Sequence, residues 1–193
     1  MKRFMITMES PLNGMKIGTA DTVSIRELPG LHTIDLRVAP GSPAQAAIIE
    51  ALNINLPAKA GQVLTISKHI EGDAYALCLA PDWWLIVGYP DAEEKLLPLK
   101  EHHHFSIVDV SGQRTTIDLE GPNVREVLAH LWEQDLREKS FPVSSVSQGL
   151  MAKAPVIVYR IAALRYRVMV RSSFALHLWK ALVDAAAEYF DQL

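Results

Sequence analysis

Thr33-Ile34-Asp35-Leu36 recurs as Thr116-Ile117-Asp118-Leu119, an offset of 83 residues. The run Trp83-Trp84-Leu85-Ile86-Val87 is matched at the same offset by Tyr166-Arg167-Val168-Met169-Val170. Two distant landmarks that share one offset point to an internal duplication. They predict one α+β unit used twice, over about residues 21–103 and about residues 104–193 of a single domain. Residues 1–20 carry Pro11 and Gly14 and show no apolar period, so they read as a flexible N-terminal tail.

Both halves follow one order of elements. In the first, Val23 to Leu28 and Leu31 to Val38 alternate apolar and polar residues as half-buried strands do, with a turn at Pro29-Gly30. Ser42-Pro43 supplies an N-cap and a first helical position for a helix to about Leu52. Strands at Gln62 to Ser67, Ala74 to Leu79 and Trp83 to Val87 follow, the last two as a hairpin around Pro81-Asp82, and Asp91 opens a second helix. In the second half, Phe105 to Val110 and Arg114 to Leu119 are strands joined at Ser111-Gly112. Val124, Val127, Leu128, Leu131 and Trp132 then fall on one helical stripe after Gly121-Pro122. Val143 to Met151, Val156 to Ile161 and Leu164 to Val170 are further strands, and Ser172 or Ser173 caps a last helix to about Phe190. The order is β-β-α-β-β-β-α, twice, and strands clustered between helices argue against parallel βαβ winding.

That last helix is apolar on two sides, one carrying Phe174, Leu178 and Leu182, the other Leu176, Trp179 and Val183. Such a helix either sinks into a core or meets another chain. The bulk composition is that of an ordinary globular chain: 193 residues, 49% hydrophobic, 21% charged, net charge −3. A nucleic-acid or anionic-membrane surface would need a basic patch that this balance does not suggest. The lone cysteine, Cys78, lies in an apolar run and reads as a buried, inert thiol. No apolar stretch approaches the ~20 residues of a membrane-spanning helix. Phe4 to Met8, after Lys2 and Arg3, is too short for the core of a signal peptide. The expected location is the cytoplasm.

Residue patterns alone identify no active site. Three consecutive histidines, His102-His103-His104, point in different directions on any regular element, so they read as a solvated loop and not as a metal site. Gly112 and Gly121 are isolated, and Ser111 lacks a nucleophile-elbow setting. Asp118 and Glu120 share one strand face opposite apolar neighbours, the pattern of a solvated face. Arg125, Arg137, Arg160, Arg165, Arg167 and Arg171 enrich the second half in base. Arg165, Arg167 and Arg171 read as solvated strand residues, with anion binding as the other possibility.

Several short elements agree in order with one family. Val108-Asp109-Val110-Ser111, Arg114, Gly121-Pro122, Asp135-Leu136, Phe141-Pro142, Lys153-Ala154-Pro155-Val156, Arg171-Ser172-Ser173-Phe174-Ala175 and Leu178-Trp179 resemble the gamma subunits of heterotetrameric sarcosine oxidases. Glu27-Leu28-Pro29 and Pro81-Asp82-Trp83-Trp84-Leu85 do so in the first half, and the match runs over roughly residues 22 to 190. Leu131-Trp132-Glu133-Gln134 and Gln148-Gly149 depart from the family pattern.

That family is similar to the folate-binding domain of the aminomethyltransferases, the glycine-cleavage T-proteins. The resemblance implies two ββαβββα units that exchange their first strands. It also implies a subunit without cofactor or catalytic residues of its own. Its alpha, beta and delta partners would carry FAD, FMN, NAD and tetrahydrofolate and oxidise sarcosine to glycine, with peroxide and a one-carbon unit as the other products. Asp109, Ser111, Arg114, Arg171, Ser173, Phe174 and Trp179 are the family-motif and partner-interface candidates.

T-protein relatives place an acidic pair before the strand corresponding to Val156-Ile157-Val158-Tyr159, and one acid binds the folate ring. Ala154-Pro155 stands there, with no side-chain acceptor. Losing such a charged contact costs about 1.5–3 kcal/mol, so the resemblance implies that the scaffold is kept and the folate site lost. A free-standing folate-binding transferase, the other reading, would need Asp109 or Asp118 as a substitute acid.

Overall fold

The computed structural model describes residues 9–69 and 72–190, so Lys2, Arg3 and the Phe4 to Met8 run lie outside the described residues. Eleven strands are found there: β1 (Lys16–Gly18), β2 (Ser24–Leu28), β3 (Thr33–Arg37), β4 (Val63–His69), β5 (Gly72–Ala80), β6 (Trp83–Val87), β7 (Ser106–Asp109), β8 (Arg114–Glu120), β9 (Val146–Met151), β10 (Ala154–Ala162) and β11 (Arg165–Arg171). Helices are α1 (Pro43–Leu52), α2 (Ala92–Leu96), α3 (Val124–Leu131), α4 (Ala175–Ala185) and α5 (Ala187–Phe190). From β2 onward the order ββαβββα occurs twice. One sheet runs β1-β2-β8-β11-β10-β9 and the other β4-β5-β6-β3-β7, with every named pair antiparallel.

The first strands are exchanged. β2 belongs to the first repeat by sequence but pairs with β8 of the second, and β7 of the second pairs with β3 of the first. The repeated Thr-Ile-Asp-Leu therefore lies in β3 and β8, each flanked by its own hairpin strand and by the other repeat's first strand. Gly121 seals one crossing. Its φ is 135°, and a Cβ there would sit 2.4 Å from the Thr22 carbonyl oxygen at the entry to β2, so only glycine lets the two segments touch.

Alternation sorts the side chains into three apolar layers. Ile25, Ile117, Leu119, Tyr166 and Val168 face α3 and α4. Ile34, Leu36, Trp84 and Ile86 face α1 and α2. Tyr75, Leu77, Leu85, Ile157, Tyr159 and Met169 fill the space between the sheets. The sheets are thus covered on both faces, helices outside and sheet against sheet inside, and each fully buried Leu or Ile contributes about 1.5–3 kcal/mol.

Several local readings change. The supposed tail contains β1 and the fully buried Leu12, because three residues are too few to display a period yet enough to pair with β2. α1 starts as expected, with Ser42 Oγ accepting from the Gln45 amide at 3.2 Å and Pro43 at its first position. Trp132 lies just past α3 in extended backbone, bridged to Met151, and its ring meets Phe141 edge-on at 5.7 Å. Ser172 and Ser173 do not cap α4; they sit in a 3-10 turn, where Ser172 Oγ donates to the Gly112 carbonyl at 3.1 Å. Trp179, expected as an interface candidate, is buried against the α4-side core, while Phe174 and Leu176 remain 40% and 48% exposed.

The largest correction concerns Asp118, which is 1% exposed and not on a solvated face. Arg167, on the same face, is buried against the second sheet, while Arg165 and Arg26 cover Asp118 toward its more exposed side. Arg26 Nη2 and Arg165 Nη2 donate to its Oδ2 at 2.8 and 2.9 Å, and Arg167 Nε to its Oδ1 at 3.2 Å. Arg167 also lies over the Tyr75 and Tyr159 rings, 5.2 and 6.0 Å from their centroids. Arg160 is equally buried: it donates to the carbonyls of Phe141 and Ala163 at 2.7 and 2.8 Å and pairs with Glu138 at 2.5 Å. Burial alone would raise the Asp118 pKa. Hydrogen bonds from Arg165 and Arg26 and the charges of Arg165 and Arg167 outweigh it, so the carboxyl titrates below its usual value.

Removing that carboxylate leaves the buried Arg167, and the more exposed Arg165 and Arg26, without their counter-charge, a loss of up to about 3–5 kcal/mol. Urea unfolding of Asp118→Ala should show it as a lower midpoint. A depressed folded-state pKa contributes stability above the unfolded value of about 4, lost as pH falls through the folded one. Melting curves of the unaltered chain should therefore fall below about pH 4, and Asp118→Asn should lack that component of the acid loss.

Candidate functional site

The two chain crossings, β2 to β3 and β7 to β8, meet on one side of the sandwich. Between them lies a cleft of about 500 Å³, walled by both crossings and by the segment at Glu9-Ser10-Pro11. Glu27, at the end of β2, is buried and fixes that segment: its carboxylate accepts from the Gly14 amide at 2.6 Å and from Ser10 Oγ.

Asp109 ends β7 and accepts from the Ser111 hydroxyl and amide at 2.5 and 2.8 Å. These bonds, the hydroxyl's first, hold the Asp109 carboxyl below its ordinary pKa. Ser111 Oγ in turn accepts from the Thr33 amide at 2.9 Å, so a side chain from one crossing closes the first rung of β3. His32 Nε2 stands 3.8 Å from Asp109, within ion-pair range but beyond a hydrogen bond. Arg114 opens β8 opposite Arg171 of β11, two like charges side by side. Burial and the Arg171 charge push the Arg114 pKa down against the pull of Asp35, and its Nε has no hydrogen-bond partner among the described residues.

Of the sequence candidates, Asp109, Ser111 and Arg114 therefore come together at the cleft, with Arg171 beside Arg114. Ser173 and Phe174 follow β11 on the exposed side, and Trp179 lies away from both in the core. Ala154 is the first residue of β10 and is buried beneath the helices with Met151 and Trp132; Pro155 is exposed opposite Leu150. His102 and His104 are exposed and His103 half-buried, and among the described residues no group of three metal-ligating side chains converges. Burial pushes the Cys78 thiol up, away from the reactive thiolate. From the sequence, Glu27 reads only as part of the resembling Glu27-Leu28-Pro29 and Arg26 as a polar-face strand residue, neither with an assigned role. The available signal was a carboxylate inside the alternating run Ile25-Arg26-Glu27-Leu28, where the buried residues are Ile25 and Glu27.

Chemically, this is a set of polar groups mostly engaged by the fold, with Arg114 Nε and His32 Nδ1 the buried cleft atoms that have no partner among the described residues. The Ser111 hydroxyl donates to Asp109 and accepts from Thr33, and the Asp109 carboxyl, held below its ordinary pKa, is a weak base for activating it. Glu27→Gln should free residues 9–18. Hydrogen exchange there should accelerate while the rest of the chain keeps its rates, with a stability loss on the order of 1–3 kcal/mol.

Comparison with known proteins gives one consistent family. The family model described as "Sarcosine oxidase, gamma subunit family" matches residues 37–188. The sarcosine oxidase subunit gamma of Corynebacterium sp. (strain P-1) is 30% identical over 173 residues, covering 89% of this chain and 83% of the relative. The corresponding Arthrobacter subunit is 29% identical, with the same two coverages of 89% and 83%. Among solved structures, a chain of the heterotetrameric sarcosine oxidase from Corynebacterium sp. U-96, in complex with pyrrole 2-carboxylate, superimposes with a TM-score of 0.85 at 27% identity, covering 94% of this chain and 96% of that one. The aminomethyltransferase T of the Bartonella henselae glycine cleavage system gives a TM-score of 0.61 at 14% identity, covering 91% of this chain and 57% of that one; this likeness concerns the fold alone. With the family model spanning most of its length, the chain belongs to the sarcosine oxidase gamma subunit family.

Proposed function

We infer that this chain is the gamma subunit of a heterotetrameric sarcosine oxidase and serves it by assembly, without chemistry of its own. The observation that carries the second half of this inference is the use of the polar groups. Asp118 is consumed by three arginines, Glu27 by the N-terminal segment, and Asp109 and Ser111 by each other and by Thr33. A catalytic acid, base or nucleophile must be free to exchange its proton with a substrate, and each of these groups would first have to give up a bond that the fold uses.

The oxidation of sarcosine, with its FAD, FMN, NAD and tetrahydrofolate, then belongs to the alpha, beta and delta partners. On this chain, Arg171, Ser173 and Phe174 form a partner-facing candidate, contiguous and exposed at the start of the last helices. Leu176 extends it with a further exposed apolar side chain. Trp179, buried in the core, is not part of that surface. No helix among the described residues is long and apolar enough to cross a membrane, and a cytoplasmic location fits the single buried cysteine. Folate binding by this chain would require Asp109 or Asp118 to leave its present partners.

Co-expression with the large subunits, followed by size-exclusion chromatography, tests the assignment. The chain should co-elute with a flavin-coloured complex; separate elution contradicts the subunit role. Calorimetry of the isolated chain with tetrahydrofolate should show no heat of binding, whereas micromolar affinity would restore the folate-binding alternative.

A further inference from the structure

The duplication leaves one place filled in one sheet and open in the other. Ser24-Ile25-Arg26-Glu27 of β2 and Ser106-Ile107-Val108-Asp109 of β7 are the equivalent first strands of the two repeats. Each pairs on its inner side with the other repeat, β2 with β8 and β7 with β3. On its outer side β2 carries β1, antiparallel, with Ile17 opposite Ile25 and the Glu27 amide donating to the Met15 carbonyl at 2.9 Å. The backbone groups of Ile25 and Glu27 therefore face β1. In the other sheet β7 is the edge, with no strand beyond it among the described residues.

The parity of β7 is the same. The Val110 amide donates to the Thr33 carbonyl at 2.8 Å, so Val110, Val108 and Ser106 face β3. Alternation then turns the N–H and C=O groups of Ile107 and Asp109, the counterparts of Ile25 and Glu27, toward the open edge. The side chain next to them also differs in kind. Arg26 in β2 is bound to Asp118, while its counterpart Val108 is apolar and 50% exposed. β7 carries no lysine, proline or bulge; its only guards are its length of four residues and the charge of Asp109 at its end.

We propose that the edge of β7 receives an extended strand from a partner subunit of the oxidase complex, paired antiparallel to Ile107 and Asp109 as β1 pairs with Ile25 and Glu27. The incoming segment is short, the length of β1, and places an apolar side chain against Val108. It carries no acid beside Asp109. Strand addition of this kind draws affinity from main-chain hydrogen bonds and specificity from alternate side chains. The proposal rests on the subunit assignment, and its test reads assembly and edge pairing separately.

Hydrogen exchange is measured on the isolated full chain and on the co-purified complex. The Ile107 and Asp109 amides should slow on the order of 100-fold on assembly, as expected when an open edge acquires hydrogen bonds. Val108→Lys, an exposed guard substitution, should leave the melting midpoint of the isolated chain unchanged and weaken co-elution about tenfold or more. A complex that assembles while both amides exchange at the free-chain rate overturns the proposal. So does concentration-dependent protection of both amides in the isolated chain, which would make the occupant a second copy. Absence of any co-elution removes the subunit assignment and this proposal with it.

Discussion

A carboxylate taken out of water between two β-sheets is tolerable only if cations meet it there, and Asp118 is met by three. The arginines come from both neighbours of its strand: Arg26 from β2, the exchanged strand of the other repeat, and Arg165 and Arg167 from β11. The cluster therefore joins three adjacent strands at the point where the repeats interlock. It also sets what the second sheet can bring close: Arg167 is carried over the Tyr75 ring, so the charge is shielded by an aromatic of the facing sheet. The exchange of first strands and the burial of this charge are one structural fact seen from two sides.

The crossings made necessary by the exchange create the cleft, and the cleft's polar groups serve the crossings. Ser111 closes the start of β3, Asp109 holds Ser111, and Glu27 pins the N-terminal segment that becomes β1. A duplicated scaffold that uses its acids in this way resembles the folate-binding T-protein in shape while spending its polar chemistry on itself. What it leaves outward is surface: Phe174 just before α4, Leu176 in its first turn, and the open edge of β7.

Much of this was legible in the chain. The offset of 83 marked β3 with β8 and β6 with β11, and Ser42-Pro43 marked the start of α1, because strong alternation and capping chemistry are local signals. The Asp118 cluster was not legible. A polar face opposite an apolar one has the same pattern whether water or a second sheet lies over it, and only the packing decides. β1 was hidden by its length of three residues. Trp179 appeared on a separate stripe of its helix because periodicity gives an angle around the axis and not the width of the buried arc. At the cleft, Asp109, Ser111 and Arg114 were candidates by resemblance; Glu27 was matched in the same way within Glu27-Leu28-Pro29, but its hold on the wall had no local mark apart from a charge beside buried neighbours.

The most direct measurement is sarcosine-dependent peroxide release by the co-purified complex carrying Ser111→Ala together with Arg114→Gln, normalised to assembled complex. If the cleft serves the fold and the assembly alone, kcat and KM per complex remain at the level of the unaltered enzyme. A tenfold or larger fall in kcat with assembly intact, about 1.4 kcal/mol of lost transition-state stabilisation, would contradict an assembly role and put this chain in the chemistry.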